Sequence, residues 1–358
     1  MLRFSLAVLL VSMAAIDSSH ADARGGARKQ SFGPHLSFVG DFPLGASTNR
    51  TDYQSIDPAA HRLYIAKMGA GKLLVFDTEH NRLVAQLDGF PKVTGVLVVP
   101  GLHRVYASVP GAGLVSSLIV GLGMVGLSSG RGAIAIVDTD NLREVARLPG
   151  GVFPDGIAWD RDDRRIFVSD ELGSAVSVID ADGTRLLARV GTGGEVGNVR
   201  YDPISRKVYV PNQSRDELDV IDPTGLRIAS RFPLSGCKHP HGLVTASSRS
   251  LGYVACDGND ALLVVDLISG RVAGRHKTAH DADVLAIDPG SKRLFVASES
   301  GNLSIFAVAD EGAPAPLGDV FIAEDAHSVA VDPVSHRLYF PLGDVNGQCV
   351  LRVLAQNP

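Results

Sequence analysis

The chain predicts an all-β fold, a seven-bladed β-propeller with four-stranded blades, its ring closed by an N-terminal strand that completes the last blade. Three observations carry this expectation. One aromatic recurs as Tyr64, Tyr106, Phe167, Tyr209, Tyr253, Phe295 and Tyr339, at intervals of 42, 61, 42, 44, 42 and 44 residues. Around it the same phrase returns: Asp57-Pro58 leads to Arg62-Leu63-Tyr64, Asp202-Pro203 to Lys207-Val208-Tyr209, Asp288-Pro289 to Arg293-Leu294-Phe295, and Asp332-Pro333 to Arg337-Leu338-Tyr339. The composition agrees, with 45% hydrophobic but only 6% aromatic residues, 39 Gly and 19 Pro, as Val/Ile/Leu-rich strands joined by many turns require. Units of this length, built of short apolar runs and turn residues, mark a propeller.

The third repeat shows the plan of a blade. Ile157-Ala158-Trp159 is the inner strand, Arg165 to Val168 the second, Ala175 to Asp180 the third, and Leu186 to Val190 the outer one. The third strand ends on Asp in five blades, at Asp77, Asp138, Asp180, Asp222 and Asp266. An Asp there accepts backbone N–H bonds in the following turn, a structural role. The last repeat holds only three strands, the third through Val350–Val353. Its missing outer strand is expected from Leu36–Phe42, which removes two open sheet edges.

Arg62-Leu63-Tyr64-Ile65-Ala66 and Lys207-Val208-Tyr209-Val210-Pro211-Asn212, each followed downstream by an apolar strand ending in Asp, resemble the YVTN repeats of exported seven-bladed propellers, the YncE-like family. The resemblance covers roughly residues 36–354. It implies a periplasmic or surface propeller. It implies no single activity, because similar propellers act as binding scaffolds and relatives as lactonases or lyases. Two departures stand out: blade 6 ends its third strand in Phe306-Ala307, and blade 2 carries an insertion.

Residues 1–23 read as a signal peptide. Arg3 supplies the positive start, Phe4–Ile16 the short apolar run and Ala21-Asp22-Ala23 the cleavage site. The run is too short to span a bilayer. Cleavage near Ala23 would leave a polar arm over 24–34 and one propeller domain over 35–358, exported to the periplasm or secreted, and expected to be a monomer. Three cysteines are an odd number for an exported chain. Cys237 and Cys256 both map to the top of blade 5. A disulfide between them is favoured over two free thiols if their Cα atoms approach within about 7 Å. Cys349 is expected as a small buried hydrophobe.

Chain direction sorts the loops by face. Blade-to-blade connections and the loops between second and third strands share the top face. The first-to-second turns, with His61, His103 and His336, lie on the bottom, where a solvated role is expected. The residue five before the repeat Asp opens each inner strand beside the central channel. Read blade by blade, this gives Asp52, Thr94, Asp155, Gly197, His241, Asp283 and His327. At second-strand ends lie Lys67, Ser108, Asp170, Asn212, Asp257 and Glu299. Polar groups converging on one concave mouth are a candidate ligand site. Blades 5 to 7 are rich in histidine there, and His239, His241, His280, Asp283 and His327 are candidate ligands for a divalent metal. Their spacing matches no compact metal motif.

The blade 2 insertion, residues 111–130, accounts for the long 61-residue interval. Its apolar run Leu114–Leu127 belongs to a top-face loop, to serve as a lid or interaction element or to fold back on its own blade. Gly121-Leu122-Gly123-Met124-Val125-Gly126 fits a dinucleotide fingerprint only formally, because no βαβ unit surrounds it. No phosphate loop, zinc-protease helix motif or serine-hydrolase elbow is present.

These observations favour an exported binding scaffold whose top-face mouth holds a small molecule, a metal or a protein segment, with no cofactor specified beyond a divalent metal. The alternative is a metal-assisted lactonase or lyase, with His241 or His327 as proton carrier beside Asp155, Asp283 and Glu299. Single-stranded nucleic-acid binding is the third reading. The acidic ring and the net charge of −5 argue against it.

Overall fold

The computed structural model describes residues 31–110, 132–246, 249–308 and 314–358. The stretch expected as a signal peptide, the expected arm up to residue 30 and the expected blade 2 insertion lie outside the described residues. Blade 1 is an antiparallel meander of β2 (Gln54–Asp57), β3 (Arg62–Lys67), β4 (Lys72–Asp77) and β5 (Arg82–Asp88), paired in that order. Five blades repeat it: β6 (Val96–Val99) to β9 (Glu144–Gly151), β10 (Pro154–Asp160) to β13 (Leu186–Gly191), β14 (Arg200–Asp202) to β17 (Arg227–Pro233), β18 (Pro240–Ala246) to β21 (Val272–Lys277), and β22 (Ala282–Asp288) to β25 (Ala315–Phe321). The seventh consists of β26 (Ala330–Val331), β27 (Arg337–Val345) and β28 (Gln348–Gln356), completed by β1 (Leu36–Ala46) from the other end of the chain. The molecule is a seven-bladed β-propeller.

Burial follows position in the blade. Strand β3 is buried from Leu63 to Lys67, because neighbouring blades cover both of its faces. Strand β5 alternates exposed and half-buried residues, because its outer face meets water. All seven repeat aromatics are buried. Two of their hydroxyls tie one blade to the next: Tyr209 donates to the Leu267 carbonyl at 2.7 Å, and Tyr106 donates to the Ala181 carbonyl.

The recurrent geometry of the turns has a local cause. Asp57 accepts the backbone N–H groups of Ala59 and Ala60, both at 3.1 Å, and His61 then takes a left-handed φ of 53° before β3 begins. Asp288 does the same for Gly290 and Ser291. The aspartates that end third strands serve the next turn, as Asp77 does for Glu79 and His80. Their structural role is thereby seen in hydrogen bonds.

Ring closure rests on β1 and β28, paired from Leu36 opposite Gln356 to Ala46 opposite Gln348 with register shifts after Phe38 and after Pro43. Across this seam Asp41 accepts two bonds from Arg352, at 2.8 and 2.6 Å. Arg352 also donates to the Ile322 carbonyl at 2.7 Å and lies 5.7 and 5.8 Å from the ring centres of Phe32 and Phe38. Phe32 falls within the stretch expected as a polar arm, yet it is buried and stacks on Phe38 at 5.9 Å. The propeller body therefore includes it.

Candidate functional site

The top of the channel opens into a cavity of about 510 Å³. Its walls follow a simple rule. Counted from the repeat aromatic, all the lining side chains but Tyr53 and Leu172 stand in three rows: fourteen residues before it, twelve before it and four after it. The twelve-before row brings Asp52, Thr94, Asp155, His241 and Asp283 to the cavity as expected. The fourteen-before row adds Arg50, Phe153, Glu195, His239 and Asp281. The four-after row adds Met68, Glu171, Gln213, Asp257 and Glu299. Arg50, Glu171, Glu195 and Asp281 were not singled out from the sequence, although positions two apart on an extended strand share a face.

The candidates Asp170, Asn212 and His280, and the fully buried His327, which stands twelve before its own aromatic, are not among the residues that line the cavity. Asp170 and Asn212 lie three residues after their aromatics, so strand alternation turns them away from the mouth. Asp170 accepts the N–H groups of Val152 and Phe153 at 2.9 and 2.7 Å and pairs with Arg189. Asn212 donates to Asp219 at 3.1 Å inside its blade. Both are structural. His280 lies fifteen before its aromatic, exposed, with Asp260 at 3.0 Å and Asp281 at 3.3 Å.

Close contact between inner strands holds the mouth residues in place. Thr94 donates to the Pro154 carbonyl at 2.8 Å and Ser108 to the Asp155 carbonyl at 2.6 Å. The Asn198 N–H donates to the His241 carbonyl at 3.0 Å. Glycine permits this approach at the residue after the twelve-before position. A Cβ on Gly95 would stand 1.8 Å from the Asp155 carbonyl oxygen, and one on Gly242 would stand 1.9 Å from that of Asp283. Gly242→Ala must therefore push β18 and β22 apart, at a cost of about 1–3 kcal/mol. Urea unfolding checks this, and an unchanged midpoint would show that the inner wall gives easily.

The disulfide between Cys237 and Cys256 is present, with Cα atoms 5.3 Å apart. It anchors the loop carrying His239, whose Nδ1 faces Asp257 at 3.0 Å and whose N–H donates to Asp216 at 2.8 Å. Cys349 is a buried free thiol.

The electrostatics are dominated by carboxylates. Eight line the cavity: Asp52, Asp155, Asp257, Asp283 and Glu299 from the expected set, and Glu171, Glu195 and Asp281 beside them. Against them stand Arg50, His239 and His241. Burial, then mutual repulsion, pushes Asp52 and Asp155 well above the ordinary carboxylate range. Burial also raises Glu171 and Asp283. Oδ2 of Asp155 is buried and has no hydrogen-bond partner. Burial opposes charge on His241, but Asp283, Glu171 and Asp155 outweigh it and push its pKa to about 9. Its Nε2 lies 3.3 Å from Asp283 and 3.4 Å from the Tyr53 hydroxyl. His327 is fully buried, and its Nδ1 meets the Asp325 carbonyl at 3.0 Å and carboxylate at 3.1 Å. Burial disfavours its charge, yet the Asp325 bond raises its pKa to about 9. The surrounding carboxylates thus favour the charged form of both imidazoles.

Two further features complete the site. Arg50 binds Glu299 through both terminal nitrogens, at 2.7 and 3.3 Å. Burial opposes its charge, but Glu299 and Asp52 hold its pKa above the ordinary value. Asp283, Glu299 and His327 can each place one ligand atom within 4.8 Å of the others.

Comparison with known proteins supports the architecture. No protein-family profile matches the chain, and no curated protein sequence matches it. Among solved structures, Kuenenia stuttgartiensis hydrazine synthase is similar over 88% of this chain and 99% of that one, with a TM-score of 0.69 and 14% identity. At that identity the likeness shows the fold alone. No helix among the described residues is long and apolar enough to cross a membrane.

Proposed function

We propose that this propeller is a binding scaffold whose top-face mouth takes a small, positively charged ligand. The carrying observation is the excess of eight carboxylates in one concave cavity over one arginine and two histidines. Low-dielectric walls focus such a field and concentrate cations. Phe153, Leu172, Met68 and Tyr53 supply apolar and aromatic surface between the charges, which suits an organic amine. The same field repels phosphate and so speaks against nucleic acid. The signal-peptide pattern and the disulfide support export to an oxidising compartment.

A thermal-shift screen of primary amines, diamines and quaternary ammonium compounds tests the reading. A ligand at about 100 times its Kd should add roughly 2.7 kcal/mol of stability. Stabilisation by small anions alone would contradict it.

One observation favours a second occupant, a divalent cation on Asp283, Glu299 and His327. The Asp325 carbonyl holds Nδ1 of His327, while Nε2 has no partner. A histidine that ligates a metal is commonly oriented this way. Elemental analysis after purification without chelators should then find one metal per chain, lost in Asp283→Asn. A metal-free protein that still binds amines would remove this second reading and keep the first.

A further inference from the structure

Below the acidic mouth the channel holds a second cavity of about 330 Å³. Tyr53 lines both cavities. The lower one is bounded by inner-strand residues of blades 1 to 4, and its chemistry is the reverse of the mouth. No carboxylate lines it, and its charged residue is Arg200.

Arg200 breaks the pattern of the repeat. It stands nine residues before its aromatic, where the other blades carry Ser55, Leu97, Ala158, Val244, Ala286 and Ala330. A guanidinium replaces a small or apolar side chain in one blade of seven. It donates to the Val199 carbonyl at 2.8 Å and forms no ion pair among the described residues. A half-buried guanidinium has five N–H donors to satisfy, and one carbonyl meets only part of that need.

The neighbouring amides are unsatisfied as well. Asn198 is 1% exposed, and both its Nδ2 and its Oδ1 are without partners. Gln54 donates through Nε2 to the Tyr339 carbonyl at 2.8 Å, while its Oε1 has no partner. A buried amide left unpaired costs about 1–3 kcal/mol per group. The cavity thus presents donors on Arg200 and Asn198, and acceptors on Asn198 and Gln54. Trp159, Leu97 and Ile157 form an apolar wall.

We infer that the lower cavity is a second binding site, for a small carboxylate that carries a hydroxyl or amino donor beside its carboxyl group. The carboxylate matches the guanidinium fork and the Asn198 NH₂. The adjacent donor meets the amide oxygens of Asn198 and Gln54, and an apolar substituent packs on Trp159. A bare anion such as phosphate would answer Arg200 and leave the two acceptors and the apolar wall unanswered. This site does not depend on the reading of the mouth.

Trp159 is the only tryptophan of the chain, so its fluorescence reports on the cavity. The test titrates the whole protein with glycolate, L-lactate and L-mandelate, and with their hydroxyl-free partners acetate, propionate and phenylacetate, and with inorganic phosphate. The hydroxy acids should change Trp159 emission saturably, each binding about tenfold tighter than its partner, the worth of one hydrogen bond. Arg200→Gln should weaken binding about 30-fold or more, as loss of a charge-assisted pair does. Asn198→Asp, close in shape but repelling the ligand, gives the same loss if Arg200→Gln fails to fold. No saturable change up to ~10 mM, an affinity too weak to matter, would overturn the inference. Equal binding of each matched pair, or phosphate binding as tightly, would also overturn it.

Discussion

Asp41→Ala is expected to destabilise the propeller by about 3 kcal/mol, because it strips the partner from a nearly buried guanidinium at the ring's only chain-end seam. Arg352 is 9% exposed in its side chain and gives two bonds to Asp41. The contact also fixes the register of β1 against β28, which closes the ring. Paired replacement, Asp41→Leu with Arg352→Met, should recover most of the loss, since apolar side chains can pack against the stacked Phe32 and Phe38 rings without a desolvated charge. Chemical denaturation of the three variants checks this. A loss below about 0.5 kcal/mol, the worth of an exposed pair, would mean that solvent already screens this contact.

Asp155→Asn is expected to have the opposite sign. The carboxyl is buried among other carboxylates, one oxygen has no partner, and its folded pKa is raised. A group with a raised folded pKa contributes stability that is present below its unfolded pKa. That stability is lost as pH rises through the folded value. The wild type should therefore lose stability between the ordinary carboxylate range and alkaline pH, and the Asn variant should lose less. The variant should be more stable by about 1–3 kcal/mol at pH ~8, with the difference vanishing near pH ~4. His241 and His327 add the same sign over a higher window, from the ordinary imidazole pKa up to about 9. A variant less stable than wild type at pH ~8 would show that Asp155 is ionised and held by a favourable partner. Stability gained while cation affinity falls is the usual trade at a binding site.

The fold was legible because the repeat is written in residues with fixed structural tasks. The buried aromatics mark second strands, and the turn aspartates mark where strands end. The mouth was legible in part. Asp52, Asp155, His241 and Asp283 followed from register within inner strands. Asp170 and Asn212 did not line it, although Asp257 and Glu299, taken with them as one set, did. The set mixed positions two, three and four residues after the aromatic, and on a strand one residue is the difference between the channel and the blade interior. Glu171 and Gln213, one residue further on, are the true equivalents. Arg200 was overlooked because inner-strand positions below the mouth looked like core, and a single charge in one blade carries no periodic signal. The role of Phe32 depends on a cation–π contact with Arg352, more than 300 residues away in sequence, which no local pattern reveals.

Calorimetric titration with 1,4-diaminobutane and with manganese(II), at several pH values, addresses the acidic mouth most directly. Saturable one-to-one binding of at least one of these cations is expected. It should tighten as pH rises from ~5 to ~8, because Asp52 and Asp155, both pushed up to about 7, ionise over that range. It should weaken with added salt and disappear in the Glu171→Gln, Asp283→Asn double variant. If neither cation binds at any pH, or the double variant binds as the wild type does, the mouth is not a cation site.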